Sequence, residues 1–245
     1  IVPQEIADKE AAAKFIEAVG QFERIMNDSG FVTLTRLAAS EITGQDGKAG
    51  IIEKYFSLSQ TDTTCLKDIG LYPEEMRVGD DILCLHTLSD VEDLPGKVGT
   101  DCRFEKLSTD RSDCRLSFAA PVGVLLSCNH VYNQFIFIDD HAENLKNFEQ
   151  IARNMQSLSR YSRANQVNKE WIDEYLNEAH SKGLISVRCH CNVMAWSDDR
   201  EELKRIRNDV GSQLALMECK PRHNTTDTPT LFWAGIPGNE ADFPA

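Results

Sequence analysis

Three groups of residues in this chain have the composition for chemistry. The first is Cys189-His190-Cys191, a thiol–imidazole–thiol triplet of the kind that binds soft metal ions. It sits in a run from Ile185 to Trp196 where apolar residues alternate, with Ile185, Val187, Cys189, Cys191, Val193 and Ala195 sharing one parity. In a strand, one parity is one face, so the two sulfurs point one way and His190 the other, and the three cannot close on one ion. Core packing is the better reading, since a free cysteine behaves as a small hydrophobe.

The second group is Cys128 and His130, with His86 and His141 as further imidazoles. A thiol nucleophile needs a base within hydrogen-bond reach and commonly a lowered pKa. No spacing joins these residues, and there is no G-x-S-x-G elbow to present a serine instead. A cysteine-dependent hydrolase therefore stands as an alternative that depends on the fold. The third group is Arg153, Arg160 and Arg163, the one basic cluster of the helical region; Arg153 and Arg160 are seven apart, which is one face of a helix. It reads as a solvated face, with docking of an acidic partner or of single-stranded DNA as the functional alternative.

Phosphate binding finds no support. Gly44-Gln-Asp-Gly47-Lys48-Ala49 has the wrong glycine spacing for G-x-x-x-x-G-K-[ST] and no hydroxyl after the lysine, and Pro95-Gly-Lys97-Val98 fails likewise. The pairs Asp139-Asp140 and Asp198-Asp199 belong to no calcium loop and read as turn and helix-start residues. The expected set of catalytic, metal and cofactor residues is empty.

The elements that would position these groups follow from periodicity. Residues 8–27 predict an amphipathic helix, with Phe15, Ile16, Val19, Phe22, Ile25 and Met26 at three- and four-residue steps. Phe31 to Thr35 predicts a strand, 43–50 a loop, Ala49 to Phe56 a short helix and Ile82 to Leu88 a strand. Residues 57–75 show no period. Asp90 to Phe104 is turn-rich and predicts a seam between a lobe of residues 1–100 and one of residues 101–245. Arg115 to Leu126 and Val131 to Ile138 predict strands, the first an edge or bulged one because of Pro121 and Gly123, joined by a hairpin at Cys128-Asn-His130. Residues 141–182 lack Gly and Pro and predict two helices, broken at the polar stretch 159–166.

After the strand of 185–196, Asp198-Asp-Arg-Glu201 predicts a capped helix start. The helix carries Leu203, Ile206, Val210, Leu214 and Met217 on one face. A strand at 218–220, a loop to Pro229 and a final strand through Thr230-Leu-Phe-Trp-Ala-Gly-Ile-Pro-Gly-Asn239 complete the expected order. The fold class is α+β: a mostly antiparallel sheet with helices packed on one face, ferredoxin-like toward the C-terminus.

Composition narrows the partners. A net charge of −13 repels phosphate backbones, so broad nucleic-acid binding is not expected. Eight cysteines without a C-x-x-C pair predict reduced thiols in a cytoplasm. The chain opens at Ile1 without methionine and ends six residues after Asn239, and it is read as a segment of a longer protein.

Several stretches taken together resemble the energising ATPases of type IV secretion systems, the VirB/TrbE/CagE class. They are Trp171-Ile-Asp-Glu-Tyr-Leu-Asn-Glu-Ala179, the run Val187 to Trp196, Asp199-Arg-Glu-Glu-Leu203 and Phe232-Trp-Ala-Gly-Ile-Pro-Gly-Asn239. Ser108 to Ala120 and Asn154 to Asn165 are most similar to the TraG-type branch found in Bacteroides-type conjugative transposons, and this resemblance covers essentially the whole chain. In that class an aromatic-rich strand ending in Pro-Gly-Asn closes the N-terminal domain shortly before the P-loop motor.

The resemblance implies a non-catalytic N-terminal assembly domain, with Phe232, Trp233, Pro237, Gly238 and Asn239 as its exit motif. ATP and magnesium belong to a motor domain outside these residues. The implied partners are membrane-bound channel proteins, the chain's own ATPase domain and further copies in a homo-oligomer. The implied location is cytoplasmic, peripheral to the inner membrane, and the implied process is DNA transfer by conjugation.

Overall fold

In the computed structural model, which describes residues 8–243 apart from 31, 62, 64–66, 89 and 100, the chain divides into two units. One is formed by Ile1–Arg36 with Ile136–Arg188, the other by Leu37–Phe135 with Cys189–Ala245. The division follows other lines than the expected 1–100 and 101–245 lobes, because strands far apart in sequence pair with one another. Residues 90–104, the expected seam, lie inside the second unit.

The elements run α1 (Asp8–Asp28), α2 (Ala39–Thr43), α3 (Ile51–Ser57), β1 (Ile69–Leu71), β2 (Met76–Val78) and β3 (Asp81–Leu88). Next come β4 (Cys102–Arg103), β5 (Arg115–Leu116), α4 (Ala120–Leu125), β6 (His130–Phe137), α5 (His141–Leu158) and α6 (Arg163–Lys182). The chain then forms β7 (Arg188–Ser197), α7 (Arg200–Leu216), β8 (Arg222–Asn224) and α8 (Thr228–Ala234).

In the first unit α1 runs one residue past the expected 8–27, and Phe15, Ile16, Phe22 and Ile25 on its apolar face are exposed. The strand expected at 31–35 is absent over the described residues 32–35, and Phe31 lies outside them. Asn27 takes the place of a partner strand there, its side chain accepting from Leu34 N at 2.6 Å. α5 and α6 are separate, as expected, and the break between them takes only 159–162 of the polar stretch 159–166. The two helices pack through Phe148 and Tyr175, ring centroids 4.9 Å apart, and Gly183 ends α6 in the left-handed conformation that suits glycine.

The second unit is built on the sheet. β7 pairs antiparallel with β3 from Ile82↔Ser197 to Leu88↔Cys191. The other side of β3 holds two strands end to end, β2 at Asp81 and Ile82 and β8 at Leu85 to Thr87. β6 lies beyond β7. Trp196 N donates to Asn129 O and Asn133 meets Asn192, so the two strands step in opposite senses and are antiparallel.

β7 and β8 are therefore parallel with β3 between them, bridged by α7. β3 and β6 are parallel with β7 between them, bridged by a segment containing α4. Two interlocked split β-α-β units give the order β8-β3-β7-β6, the ferredoxin-like arrangement, with the β1–β2 hairpin added beside β3. The expected fold class holds. Its ferredoxin-like part draws on β3, far upstream of the C-terminal segment to which the sequence pointed.

α4 and α7 pack on one face of this sheet. Val122 meets Ile206, Val210 and Leu214 over Leu88, Cys191, Val193 and Ala195 of the strands. Cys191 is thus a core residue, whereas Cys189 is only half-buried. The opposite face is buried as well: His190, Asn192, Met194 and Trp196 all lie on it at 8% exposure or less. Both parities of β7 are covered, so the alternation in its sequence marks two different kinds of interior.

Three expected strands are helix or turn. Within 115–126 only Arg115–Leu116 is strand, and 120–125 is α4 with Pro121 in its first turn, a position where proline costs no hydrogen bond. Cys128 to His130 consequently links a helix to a strand and is no hairpin. The 218–220 strand is displaced to Arg222–Asn224. Glu218 takes a left-handed φ of 59°, and Cys219 N bonds back to Leu214 O, which closes α7 with a Schellman-type turn. Asp199, one residue later than expected, caps α7 by accepting from Glu201 N at 2.9 Å. The third correction is the exit stretch, which is α8 and a turn.

Candidate functional site: a cleft closed by the exit stretch

α8 starts after Asp227 with Pro229 in its first turn, and buries Leu231, Phe232 and Ala234. Phe232 has no exposed surface, a burial that contributes about 2–3 kcal/mol. Trp233 is 41% exposed, its ring 5.4 Å from that of Phe56 on α3. The turn after α8 is held at three points. Asn239 donates from Nδ2 to Trp233 O at 3.2 Å, Asn239 N bonds to Ile236 O at 3.0 Å, and Gly238 N donates to Glu240. Gly238 sits at φ 104°, which excludes side chains in practice. The five residues of the exit motif thus form a helix end and its clamp, where a strand end was expected.

The clamp closes one side of a cleft of about 580 Å3. Gly235 and Pro237 face it from the exit stretch, Tyr55 from α3, and Phe135 and Trp196 from the sheet. Its polar groups are held from behind. The Tyr55 hydroxyl donates to Phe232 O at 2.8 Å, and burial raises its pKa above the ordinary phenol value. His130 Nδ1 lies 3.0 Å from the carbonyl oxygen of Cys128, a contact that requires Nδ1 to donate. Asn133 donates to Asn192 Oδ1 at 3.0 Å, and Asn192 Nδ2 lies 3.0 Å from His190 Nε2 behind it. His190 in turn stacks on Phe243, with ring centroids 4.4 Å apart.

The cleft is an aromatic-walled surface with fixed hydrogen-bonding groups and, among the described residues, no paired nucleophile and base. It is suited to binding. No sequence signal marks Tyr55 and Trp196 as its walls, because helix α3 and strand β7 each account for them as ordinary apolar positions.

The thiols are placed unfavourably for catalysis. Burial pushes Cys84 up to about 12 and Cys219 up to about 11, and raises Cys128 and Cys191 above the ordinary value. His130 bonds to the main chain of Cys128. His86 Nδ1 lies 3.9 Å from Sγ of Cys84. His86 faces His223 across the β3–β8 pair, and desolvation, with His223 and Arg207 beside it, lowers it to about 4. A base that resists protonation beside thiols that resist ionisation is the reverse of an activated pair. His141 lies in the first unit, after the Asp140 cap of α5. Cys65 is outside the described residues. Among the described residues no three His, Cys, Asp or Glu side chains are grouped to hold a metal ion.

The loop 44–50 is closed as well. Gly50 N donates to the Glu53 carboxylate at 2.9 Å, and Gln45 and Lys48 bond to each other, so a carboxylate already occupies the place a phosphate would need. The residues of this loop do not fit a nucleotide.

Of the arginines, Arg160 and Arg163 flank the exposed Tyr161 in the α5–α6 turn, and Arg153 stands two turns back on α5. α5 ends at Leu158, so the seven-residue spacing from Arg153 to Arg160 does not set one helix face. Among the described residues, none of the three forms an ion pair.

No helix of the described residues is long and apolar enough to cross a membrane. Comparison with known proteins returns no match: no protein-family model fits the chain, and no curated protein sequence matches it.

Proposed function

We propose that this chain is a non-catalytic assembly and interaction domain of a conjugative-transfer ATPase of the type IV secretion class. The observation that carries the reading is the anchoring of the exit stretch. Tyr55 is bonded to Phe232 O, Gly235 lies flush against the Tyr55 ring, and Asn239 clamps the end of α8. A segment so fixed to helix α3 delivers whatever follows it from a defined position. That is what a hand-over to a motor domain requires.

The reading draws its family from the resemblance of residues 171–179, 187–196, 199–203 and 232–239, and its non-catalytic character from the buried, unactivated thiols and the closed glycine loop. On this reading ATP and magnesium are bound by the motor. The domain works at the cytoplasmic side of the inner membrane, against channel proteins and neighbouring copies. Calorimetry of the 245-residue chain with ATP and magnesium tests it. No binding heat and no turnover are expected, and micromolar binding or any hydrolysis would count against it.

A second reading is favoured by one feature, the exposed Arg160-Tyr161-Ser162-Arg163 turn. Two guanidiniums with no ion pair among the described residues, beside an exposed ring, suit an acidic partner or a single strand of DNA. Oligonucleotide binding at low salt that weakens steeply with added salt, and is lost in Arg160→Ala/Arg163→Ala, would establish it. No binding at low salt removes it.

A further inference from the structure

The cleft beneath the exit stretch is lined by residues of the second unit alone, so its walls are set within that unit. Two of its rings are each backed by another aromatic. Tyr55 has Phe232 behind it, centroids 4.9 Å apart and planes tilted by 30°, and Phe135 has Phe243 behind it at 4.5 Å and 32°. The second face of each ring is left for the space that it lines. An aromatic face is the negative side of the ring quadrupole and attracts a cation.

The polar groups on the lining share that preference. The Tyr55 hydroxyl has given its one proton to Phe232 O, so its oxygen can only accept from anything in the cleft. Asn133 spends an Nδ2 proton on Asn192 and keeps its acceptor, Oδ1. Among the described residues Glu240 is the one carboxylate of the lining, and the Gly238 N–H that it accepts orients it. Lys54, the one lysine there, already has a partner of its own.

We propose that this cleft binds a small organic cation, an ammonium or amidinium head on an apolar body. The head meets the Glu240 carboxylate, and the body lies against the aromatic walls. A volume of about 580 Å3 suits a molecule of that kind better than a bare ion. The net charge of −13 draws such a cation in and repels an anion of the same shape.

Titration of the 245-residue chain with phenethylammonium, followed by the amide signals of Asn133, Trp196 and Glu240, tests this. Phenethyl alcohol and hydrocinnamate carry the same ring with a neutral and an anionic head. The cation is expected to bind with a Kd of about 1 mM or below, about tenfold or more tighter than the alcohol, and the anion weakest of the three. Glu240→Gln keeps an acceptor for Gly238 N and removes the charge. It should weaken the cation about fivefold or more and leave the alcohol unchanged. Melting temperature reports whether that variant stays folded, and the series of three ligands on the unsubstituted chain decides the matter without it. No binding of the cation, equal affinity for all three, a preference for the anion, or shifts confined to signals outside the cleft overturns the proposal. So does binding of acetyl-Phe-Arg-amide without binding of the amine, which would make the cleft a docking site for a protein segment.

Discussion

Tyr55 and Phe232 stand 177 residues apart in sequence and are joined twice: the tyrosine hydroxyl donates to the phenylalanine carbonyl at 2.8 Å, and the rings lie 4.9 Å apart. The bond fixes helix α3 to helix α8 and sets the wall of the cleft. Tyr55→Phe keeps the ring contact and removes the bond, and is expected to cost about 1 kcal/mol in urea unfolding. Tyr55→Ala removes both and costs about 3–5 kcal/mol. Equal effects from the two substitutions would show that the ring contributes nothing.

Gly235 is the counterpart of that bond. A Cβ at this position would overlap the Tyr55 hydroxyl and come within 3.2 Å of the ring carbon that bears it. Gly235→Ala should destabilise by about 1–3 kcal/mol through overpacking. In a Tyr55→Phe background the clash is smaller, so the two changes should couple, the double variant losing less than the sum. Strict additivity would contradict the contact.

The buried imidazole of His86 makes stability depend on pH. Its folded pKa of about 4 lies below the ordinary 6.5, so the unfolded chain takes up the proton first. The stability it contributes is complete above pH 6.5 and is lost as pH falls toward 4, by an amount on the order of 2–3 kcal/mol. His223, lowered by burial and by Arg207, acts in the same direction. His86→Gln should flatten unfolding free energy against pH between 6.5 and 4.5. An unchanged slope would place the proton elsewhere.

Thiol chemistry separates a binding domain from a hydrolase. Timed iodoacetamide labelling near pH 7.5 should find Cys84, Cys128, Cys191 and Cys219 slower than a free thiol, since burial raises all four. Cys102, Cys114 and Cys189, half-buried like Cys128, should react before the buried Cys84, Cys191 and Cys219. A hyperreactive Cys128 would revive the hydrolase.

Periodicity made α1, α5, α6, α7, β3 and β7 legible, because each is long enough to show its repeat. It failed on short apolar runs. Leu231-Phe-Trp-Ala234 and Pro121 to Leu125 have no length in which 3.6 and 2.0 can be told apart, and the useful signal was a proline in the first turn after a capping or small residue. β1, β2 and β8 have three residues each and owe their existence to neighbours. The order β8-β3-β7-β6 rests on pairs such as His86↔His223, and nothing local encodes them. The cleft was illegible for the same reason: Tyr55, Phe135 and Trp196 converge only after those strands pair.

The proposed hand-over from the exit stretch to a motor can be measured in a full-length protein of the proposed conjugation-ATPase class that carries this chain. Trp233 is the half-exposed aromatic of the stretch, so Trp233→Ala leaves the buried Phe232 anchor in place. The account predicts that conjugative transfer falls by about tenfold or more while ATP hydrolysis by the purified protein is retained, a loss of coupling on the order of 1.4 kcal/mol. Transfer at the unsubstituted level would contradict it.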